Sequence, residues 1–162
     1  MTHLWTPWRS TYMNEQKSKT QCIFCDAAQS NADEKTLVVH RAQFSFVILN
    51  RYPYTSGHLM IAPYLHAARL QDADSQTATE MMQLARLAEL VIERAYRPDG
   101  LNLGMNLGEA AGAGIEQHIH LHVLPRWRGD ANFMTSVGNT RVIPELLSDT
   151  YAKLRDGFRS AR

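Results

Sequence analysis

Apolar residues are concentrated in five short stretches of the chain, and their spacing predicts β-strands. These stretches cover residues 36–40, 44–50, 57–63, 101–107 and 118–124. They are rich in Val, Ile and Leu and are separated by turn-forming residues. The first two are joined by a short turn, which predicts a β-hairpin, and Pro63 is expected to end the third strand.

The pattern becomes helical between about Asp74 and Tyr96. Apolar residues recur there at steps of three and four: Met81, Leu84, Ala85, Ala88, Val91, Ile92 and Ala95. This spacing predicts an amphipathic helix with one buried face. Thr77 and Glu80 have the spacing of a capping box, although Asp74 could also begin the helix.

A second helix is predicted near the end of the chain, over residues 142–155. Strands that come first, a long helix between them and short connections favour the α+β class, with an antiparallel sheet of about five strands. At 162 residues the chain is long enough for one domain with its own core. Residues 1–21 are expected to form an N-terminal arm, and residues 22–162 a single domain.

Composition and charge narrow the classes of partner. Hydrophobic residues make up 44% of the chain and charged residues 20%, and the formal net charge is +1. A nucleic-acid-binding protein usually carries a strong basic excess, so we expect no nucleic-acid partner. No apolar run approaches the ~18 residues of a membrane span, and the N-terminus lacks the apolar segment of a signal peptide. We therefore expect no membrane partner and a cytoplasmic location.

Three of the seven histidines lie at alternate positions of the fifth predicted strand: His118, His120 and His122. Side chains alternate between the faces of a strand, so these imidazoles should share one face, with roughly 6.6–6.8 Å between successive positions. The alternating apolar residues Ile119, Leu121 and Val123 would point the other way, into the core. Such a row has three interpretations: a polar surface, a metal site, or nucleophilic catalysis by one imidazole supported by its neighbours.

Imidazole chemistry suits attack on phosphorus. A histidine with the unperturbed pKa of about 6.5 is mostly neutral at pH 7 and is nucleophilic without a strong base. The phosphoramidate that it forms can also break readily. A histidine can therefore relay a nucleotidyl group from one phosphate to another acceptor.

The two cysteines of the chain, Cys22 and Cys25, form a Cys-x₂-Cys pair. In a reducing compartment such a pair is more often a metal clip or a redox dithiol than a structural disulfide. Zinc takes four ligands, so the metal interpretation requires two more.

The motif HIHLHVL (residues 118–124) matches the signature His-φ-His-φ-His-φ-φ, in which φ is apolar. The chain therefore resembles the histidine triad superfamily of nucleotide hydrolases and transferases. The similar stretches are residues 46–66, 100–114 and 120–133. Residues 4–9 (LWTPWR) and 126–133 (RWRGDANF) are most similar to the branch of diadenosine tetraphosphate phosphorylases, or ATP adenylyltransferases. The resemblance implies the HIT-like fold and a homodimer.

By position, the resemblance implies a catalytic group of four histidines: His58, His118, His120 and His122. His120 would be the nucleophile that attacks the α-phosphorus. His122 would hydrogen-bond the phosphate or hold the nucleophile's tautomer. His58 matches a strand histidine that backs the triad in this family; otherwise it would simply be a hydrogen-bonded histidine at a strand end.

The resemblance also implies a set of substrate-binding residues. Asn50 matches the position that binds the ribose hydroxyls, which suits a short amide that both donates and accepts. Asn106 matches a position that contacts the phosphate or the leaving group. The other candidates are glycine-loop residues at the phosphates and apolar residues that would enclose the base or simply pack in the core: Gly112, Gly114, Ile115, Ile23, Phe24 and Ile48.

Residues 104–114 (GMNLGEAAGAG) form a loop with four glycines before the histidine strand. It is not a Walker loop, because it lacks Gly-Lys-Ser/Thr and a strand follows it. Glycines still allow backbone N–H groups to turn toward phosphate oxygens. Gly114 stands where many relatives have Ser or Gln, so main-chain N–H groups would have to replace that side-chain donor.

Some members of the superfamily, including the related uridylyltransferases, bind structural zinc. Their ligands are a cysteine pair, a histidine after the third strand and the first triad histidine. The corresponding residues here are Cys22, Cys25, His66 and His118. The resemblance therefore implies a zinc ion that ties the N-terminal segment to the catalytic strand. A reduced thiol pair and redox chemistry are the alternatives.

The predicted function is nucleotidyl transfer on a dinucleoside polyphosphate through a covalent His120–AMP intermediate. Transfer to inorganic phosphate would convert diadenosine tetraphosphate to ATP and ADP, whereas transfer to water would release AMP; the branch resemblance favours phosphate. His122 stands where classical transferases often have Gln, which is also compatible with a hydrolase of dinucleoside polyphosphates or AMP conjugates. The rivals from other classes are a metal-dependent enzyme that uses the histidine row as ligands and a non-catalytic nucleotide-binding module.

Overall fold

A computed structural model of the chain describes residues 22–131, 135, 137 and 143–161. The arm predicted for residues 1–21 therefore lies outside the described residues, and the domain boundary at residue 22 stays a prediction. Among the described residues, no helix has both the length and the apolar character needed to cross a membrane.

The described elements are five strands, four α-helices and two short 3₁₀ turns. In chain order they are α1 (Ile23–Gln29), α2 (Asp33–Thr36), β1 (Val38–Arg41), β2 (Ser45–Leu49), β3 (Leu59–Pro63), a 3₁₀ turn (Leu70–Asp72), α3 (Ser75–Tyr96), β4 (Gly100–Gly104), a second 3₁₀ turn (Glu109–Ala111), β5 (Leu121–Arg126) and α4 (Leu147–Ser160).

The five strands form one antiparallel sheet in the order β1-β2-β3-β5-β4. The predicted hairpin is β1–β2, with Arg41 paired to Phe46. At the centre of the sheet, Met60 of β3 pairs with His122 of β5. The predicted α+β class, with a five-stranded antiparallel sheet, a long helix and a C-terminal helix, is confirmed.

Alternation along the strands divides the core between the two faces of the sheet. On one face, Val47, Leu49, Leu121 and Val123 pack with α3 and α4. The two helices approach closely at Gly157 of α4, where a Cβ atom would lie 2.7 Å from Cγ1 of Val91. On the other face, a smaller cluster packs beneath α1: Phe24, Ala27, Val38, Phe46, Ile48, Met60 and Ala62. The predicted inward orientation of the apolar residues that alternate with the histidines is thus confirmed for Leu121 and Val123.

The fifth strand begins later than predicted, at Leu121 rather than at His118. Extending the ladder by two more pairs on this side would place Ile119 opposite Pro63, which has no N–H to donate. The N–H of Ile119 instead donates to the carbonyl of Ala67, at 2.7 Å. The first two histidines therefore lie on a segment that leaves the sheet.

Other boundaries also differ from the predicted ones. The first strand begins at Val38, because Thr36 ends α2 and Leu37 is in the left-handed region. The fourth strand covers only Gly100–Gly104. The C-terminal helix begins at Leu147, after the extended backbone of Leu146, and continues to Ser160.

The long helix α3 begins after Asp74, and not at a capping box formed by Thr77 and Glu80. Asp74 is its N-cap, and its side chain accepts a hydrogen bond from the N–H of Thr77 at 2.7 Å. Glu80 is not part of a capping box. Its carboxylate accepts hydrogen bonds from the N–H groups of Gln43 and Phe44, at 3.0 and 2.7 Å, and so ties the hairpin turn to α3.

Candidate functional site

The structure brings the three histidines of the motif onto the sheet face that α1 covers. His118, His120 and His122 are all buried, with exposures of 0%, 5% and 9%. The ring centroids of His120 and His122 are 4.8 Å apart, closer than the strand spacing, because the two rings lean together edge to face. A polar surface is therefore the wrong interpretation of this row.

His58, which immediately precedes β3, joins the row through a hydrogen bond to His122, and its contacts fix the tautomers of both rings. The N–H of Tyr54 donates to Nδ1 of His58 at 3.2 Å, so the proton of the neutral His58 ring is on Nε2. Nε2 of His58 lies 2.9 Å from Nδ1 of His122 and donates to it. The proton of the neutral His122 ring is then on Nε2, which makes that atom a hydrogen-bond donor.

A backbone carbonyl sets the tautomer of His120 in the opposite sense. Nδ1 of His120 lies 2.9 Å from the carbonyl oxygen of His118, and a carbonyl can only accept, so Nδ1 carries the proton. Nε2 of His120 is then left with a free lone pair. The site thus presents a nucleophilic nitrogen next to a donor nitrogen.

Burial keeps these rings neutral. Desolvation lowers the pKa of His120, against the opposing effect of its bond to the His118 carbonyl. Desolvation and then the nearby His120 lower the pKa of His122 from 6.5 to about 4. Both imidazoles are consequently in the uncharged form at neutral pH, as a nucleophile and a neutral donor must be.

The low pKa of His122 predicts a loss of stability in acid. Because the unfolded histidine takes up its proton near pH 6.5 and the folded one only near 4, the contribution is complete above pH 6.5 and is lost as the pH falls toward 4. The difference corresponds to about 3 kcal/mol, at 1.36 kcal/mol per pKa unit. Denaturant unfolding at pH 7 and at pH 4.5 should show a smaller difference in the variant His122→Gln than in the native protein. Parallel pH profiles for the two proteins would contradict this prediction.

The four predicted metal ligands converge at the N-terminal end of α1. The donor atoms of Cys22, Cys25, His66 and His118 all lie within 4.8 Å of one another. Three of the four sulfur–nitrogen distances are 3.2, 3.4 and 3.7 Å, and the two Nδ1 atoms are 3.3 Å apart. Tetrahedral zinc with normal bond lengths requires about 3.5 Å between sulfur and nitrogen and about 3.3 Å between nitrogens. The donor set and its spacing fit zinc.

The surroundings of these ligands also suit a divalent cation. Nε2 of His118 donates to the carbonyl of Pro63 at 2.9 Å, which leaves the Nδ1 lone pair directed at the cysteines. Burial and then the adjacent Cys22 raise the pKa of Cys25 to about 11, so a bound metal ion would have to displace the thiol proton. Among the described residues, this is the one group of three or more potential metal ligands, and His120 and His122 are not in it. The geometry therefore does not favour the metal interpretation of the whole histidine row.

The predicted base-binding residues lie around the histidines. The ring of Phe24 is fully buried, 4.8 Å from the ring of His120 and 5.1 Å from that of His118. Ile48 belongs to the same apolar cluster, and Ile23 and Ile115 pack against its edge half-buried. Their arrangement gives an apolar border to the histidine row, and it is compatible both with base binding and with core packing.

Asn50 contacts His58, and the glycine loop begins at Gly104, which pairs with His122. The amide nitrogen of Asn50, which follows β2, is 3.3 Å from Nδ1 of His58, and its oxygen accepts from the N–H of Tyr52. Asn106, Gly112 and Gly114 lie in the segment that joins β4 to His118. Gly112 has φ +81°, a left-handed conformation that favours glycine.

Sequence reasoning missed the contribution of Tyr54. Its ring lies 4.8 Å from that of His58 and 6.2 Å from that of His122, and its N–H fixes the His58 tautomer. A backbone N–H is present in every residue except proline, so this donor could not be recognised from the sequence. The aromatic ring near Gly57 and His58 is a signal that could have been noticed, but it has no motif of its own.

Comparison with known proteins gives a family match and similar sequences. The family model described as "HIT domain" matches residues 31–129. An AP-4-A phosphorylase of Mycobacterium tuberculosis strain H37Rv is 42% identical, and the alignment covers 93% of this chain and 80% of the relative. A bis(5'-nucleosyl)-tetraphosphatase (asymmetrical) of Schizosaccharomyces pombe is 29% identical over 57% of this chain and 50% of the relative.

Solved structures with the same architecture include a zinc-bound histidine triad family protein from Mycobacterium smegmatis. It is 27% identical, with a TM-score of 0.70, and the match covers 86% of this chain and 94% of that protein. A protein with a similar fold thus binds zinc, and the present chain has a Cys/His cluster of the kind that could hold this metal.

Proposed function

The chain belongs to the HIT domain family, and from this premise we propose that it is an enzyme that acts on dinucleoside polyphosphates and transfers a nucleotidyl group through His120. The observation that carries the proposal is the pair of opposite tautomers. Nε2 of His120 has a free lone pair because Nδ1 is bonded to the His118 carbonyl, and the adjacent His122 is held as a donor by His58.

The proposed first step is attack by Nε2 of His120 on the α-phosphorus of the substrate. A nitrogen–phosphorus bond forms while the bond from the α-phosphorus to the bridging oxygen breaks, and the electron pair leaves with the polyphosphate. His122 donates from Nε2 to an oxygen of the phosphoryl group, and N–H groups of the glycine loop stabilise the other oxygens. A polyphosphate is a good leaving group, so the step needs little help from an acid.

The remaining residues position the nucleoside. We propose that Asn50 binds the ribose hydroxyls and that Phe24, Ile23, Ile48 and Ile115 border the base. Asn106, Gly112 and Gly114 would lie near the phosphates or the leaving group. Holding the substrate in line with His120 removes much of the entropic barrier to attack.

In the second step an acceptor oxygen attacks the phosphorus of the His120–AMP adduct, and the nitrogen–phosphorus bond breaks. The 42% identity to an AP-4-A phosphorylase supports inorganic phosphate as the acceptor, which yields ADP. With diadenosine tetraphosphate the products are then ATP and ADP. The similarity to a tetraphosphatase supports the second candidate, in which water is the acceptor and AMP is released.

The choice of acceptor predicts a phosphate-dependent reaction. Incubation with diadenosine tetraphosphate should give ATP and ADP when inorganic phosphate is added, and little product without it. Separation of the nucleotides by ion-exchange chromatography measures both reactions in one experiment. AMP and ATP formed at the same rate with or without phosphate would instead assign the protein to the hydrolases.

We also propose that Cys22, Cys25, His66 and His118 hold a structural zinc ion. Support comes from the sulfur–nitrogen distances and from the similarity to a zinc-bound protein. Bound zinc would neutralise the thiolates and cross-link α1 to the segment after β3 and to the histidine segment. It would take no part in bond making. The homodimer, the cytoplasmic location and the absence of a nucleic-acid partner stay predictions.

A further inference from the structure

Helix α1 carries Phe24 but has little intrinsic stability. It has seven residues, its N-cap Cys22 makes no side-chain capping bond, and no basic residue lies in its last turn. Isolated helices shorter than about 12 residues are marginal in water, so contacts with the rest of the fold must hold this one in place.

Arg41 of β1 supplies the contact at the carboxyl end of α1. Its Nη1 donates to the carbonyl of Ala28 at 3.0 Å, and its Nη2 donates to the carbonyls of Ala27 and Ser30, both at 2.8 Å. Its Nε and Nη2 also bond Oδ1 of Asp33, at 3.0 and 2.7 Å. A cation here complements the negative end of the helix dipole and satisfies carbonyls that have no partner within the helix.

The carbonyls that Arg41 bonds lie close in the helix to Phe24, the residue that contacts His120. Ala27 and Ala28 lie one helical turn after Phe24. The ring of Phe24 packs against that of His120 at 4.8 Å and is fully buried. Among the described residues, the hydrogen-bond partner of the His120 imidazole is the His118 carbonyl alone, so the ring contacts of His120 contribute to its orientation.

We propose that Arg41 is a positioning residue for the reaction: it anchors the carboxyl end of α1 so that Phe24 holds the His120 ring in line for attack. The inference rests on the proposed function, because it takes His120 as the nucleophile. Lysine cannot replace this arginine, since the three carbonyls and the carboxylate are bonded by three separate nitrogens of the guanidinium group, whereas lysine has one. Misplacement of a reacting group by about 1 Å can cost roughly a hundredfold in rate.

A double-mutant cycle tests whether Arg41 acts through Phe24. We expect Arg41→Lys to lower kcat roughly tenfold or more in the native background and by less than about twofold in the Phe24→Leu background. Arg155→Lys is the matched control, because Arg155 is similarly half-buried and paired with Asp156 on α4. Its kcat should be unchanged. An equal effect of Arg41→Lys in both backgrounds, or none in either, would overturn the proposal.

A spectroscopic measurement separates this inference from the proposed function. The ring protons of His120 lie beside the Phe24 ring, so their NMR shifts report the placement of Phe24 without any turnover. Arg41→Lys should move these shifts, and Arg155→Lys should leave them in place. Unmoved shifts would contradict the positioning role even in an active enzyme. If Arg41→Lys moves these shifts but the native protein shows no turnover, the positioning role of Arg41 is supported and the proposed function is wrong.

Discussion

Replacing His120 by alanine should reduce turnover of diadenosine tetraphosphate by at least about a thousandfold, which corresponds to about 4 kcal/mol of lost transition-state stabilisation. The reason is that His120 combines an unprotonated Nε2, a tautomer fixed by a carbonyl and a neutral ring at pH 7, whereas the lone pair of His118 is directed at the cysteines. His122 cannot substitute, because its bond from His58 leaves Nε2 as a donor. The rate is measured under saturating substrate with folding checked by circular dichroism.

A matched control shows whether the effect belongs to the site. His40 stacks on Phe158 of α4, at 5.2 Å between ring centroids, on the opposite side of the sheet from the triad. His40→Ala should therefore retain the native kcat per folded molecule. Retained turnover in His120→Ala would show that another group makes the bond to phosphorus. If the native protein and His120→Ala both bind AMP and the native protein shows no turnover, the chain is a nucleotide-binding module.

The second large effect concerns the metal ligands. Cys25→Ser should abolish stoichiometric zinc and lower the free energy of unfolding by more than about 3 kcal/mol, because zinc binding to such a site is itself folding free energy. Elemental analysis and denaturant unfolding of protein purified without added metal measure the two quantities. Ala28→Ser is a control in the same helix, at a half-buried position outside the group of four metal ligands. It should keep its zinc.

Zinc-free native protein with full stability and full activity would contradict the zinc proposal. A Cys22–Cys25 disulfide in such a preparation, detected by mass spectrometry before and after reduction, would instead support redox chemistry. Free thiols without metal would identify the cysteines as a reduced pair. In each case the catalytic proposal for His120 is tested separately.

Local sequence patterns predicted the five strands and the two longer helices, but not the short helices α1 and α2. Central strands such as β2 and β3 are buried on both faces, which gives them a recognisable apolar run. The alternation of Leu121 and Val123 with His122 is a property of neighbouring residues, and the structure confirms it. The late start of β5 could not be predicted in the same way. It depends on the register, which would bring Ile119 opposite Pro63 from a distant part of the sequence, and register is a tertiary property.

The residues of the candidate site could be identified from a sequence motif. The hydrogen bonds that determine their tautomers could not. The tautomer of His58 depends on the N–H of Tyr54, and that of His120 on the carbonyl of His118. Backbone groups of this kind are the same in every residue, so their positions cannot be recognised from residue types. Arg41 was missed for a related reason: its partners are carbonyls of α1, which only the folded chain brings to β1.

The central claim is that one imidazole becomes bonded to AMP during turnover, and trapping that adduct tests it most directly. Native enzyme mixed with diadenosine tetraphosphate in the absence of phosphate, quenched within milliseconds in alkali and digested, should yield a peptide containing His120 with the mass of one added AMP. The same peptide from His120→Ala should remain unmodified. A native enzyme that turns over at full rate under conditions where no peptide ever carries AMP would contradict the account.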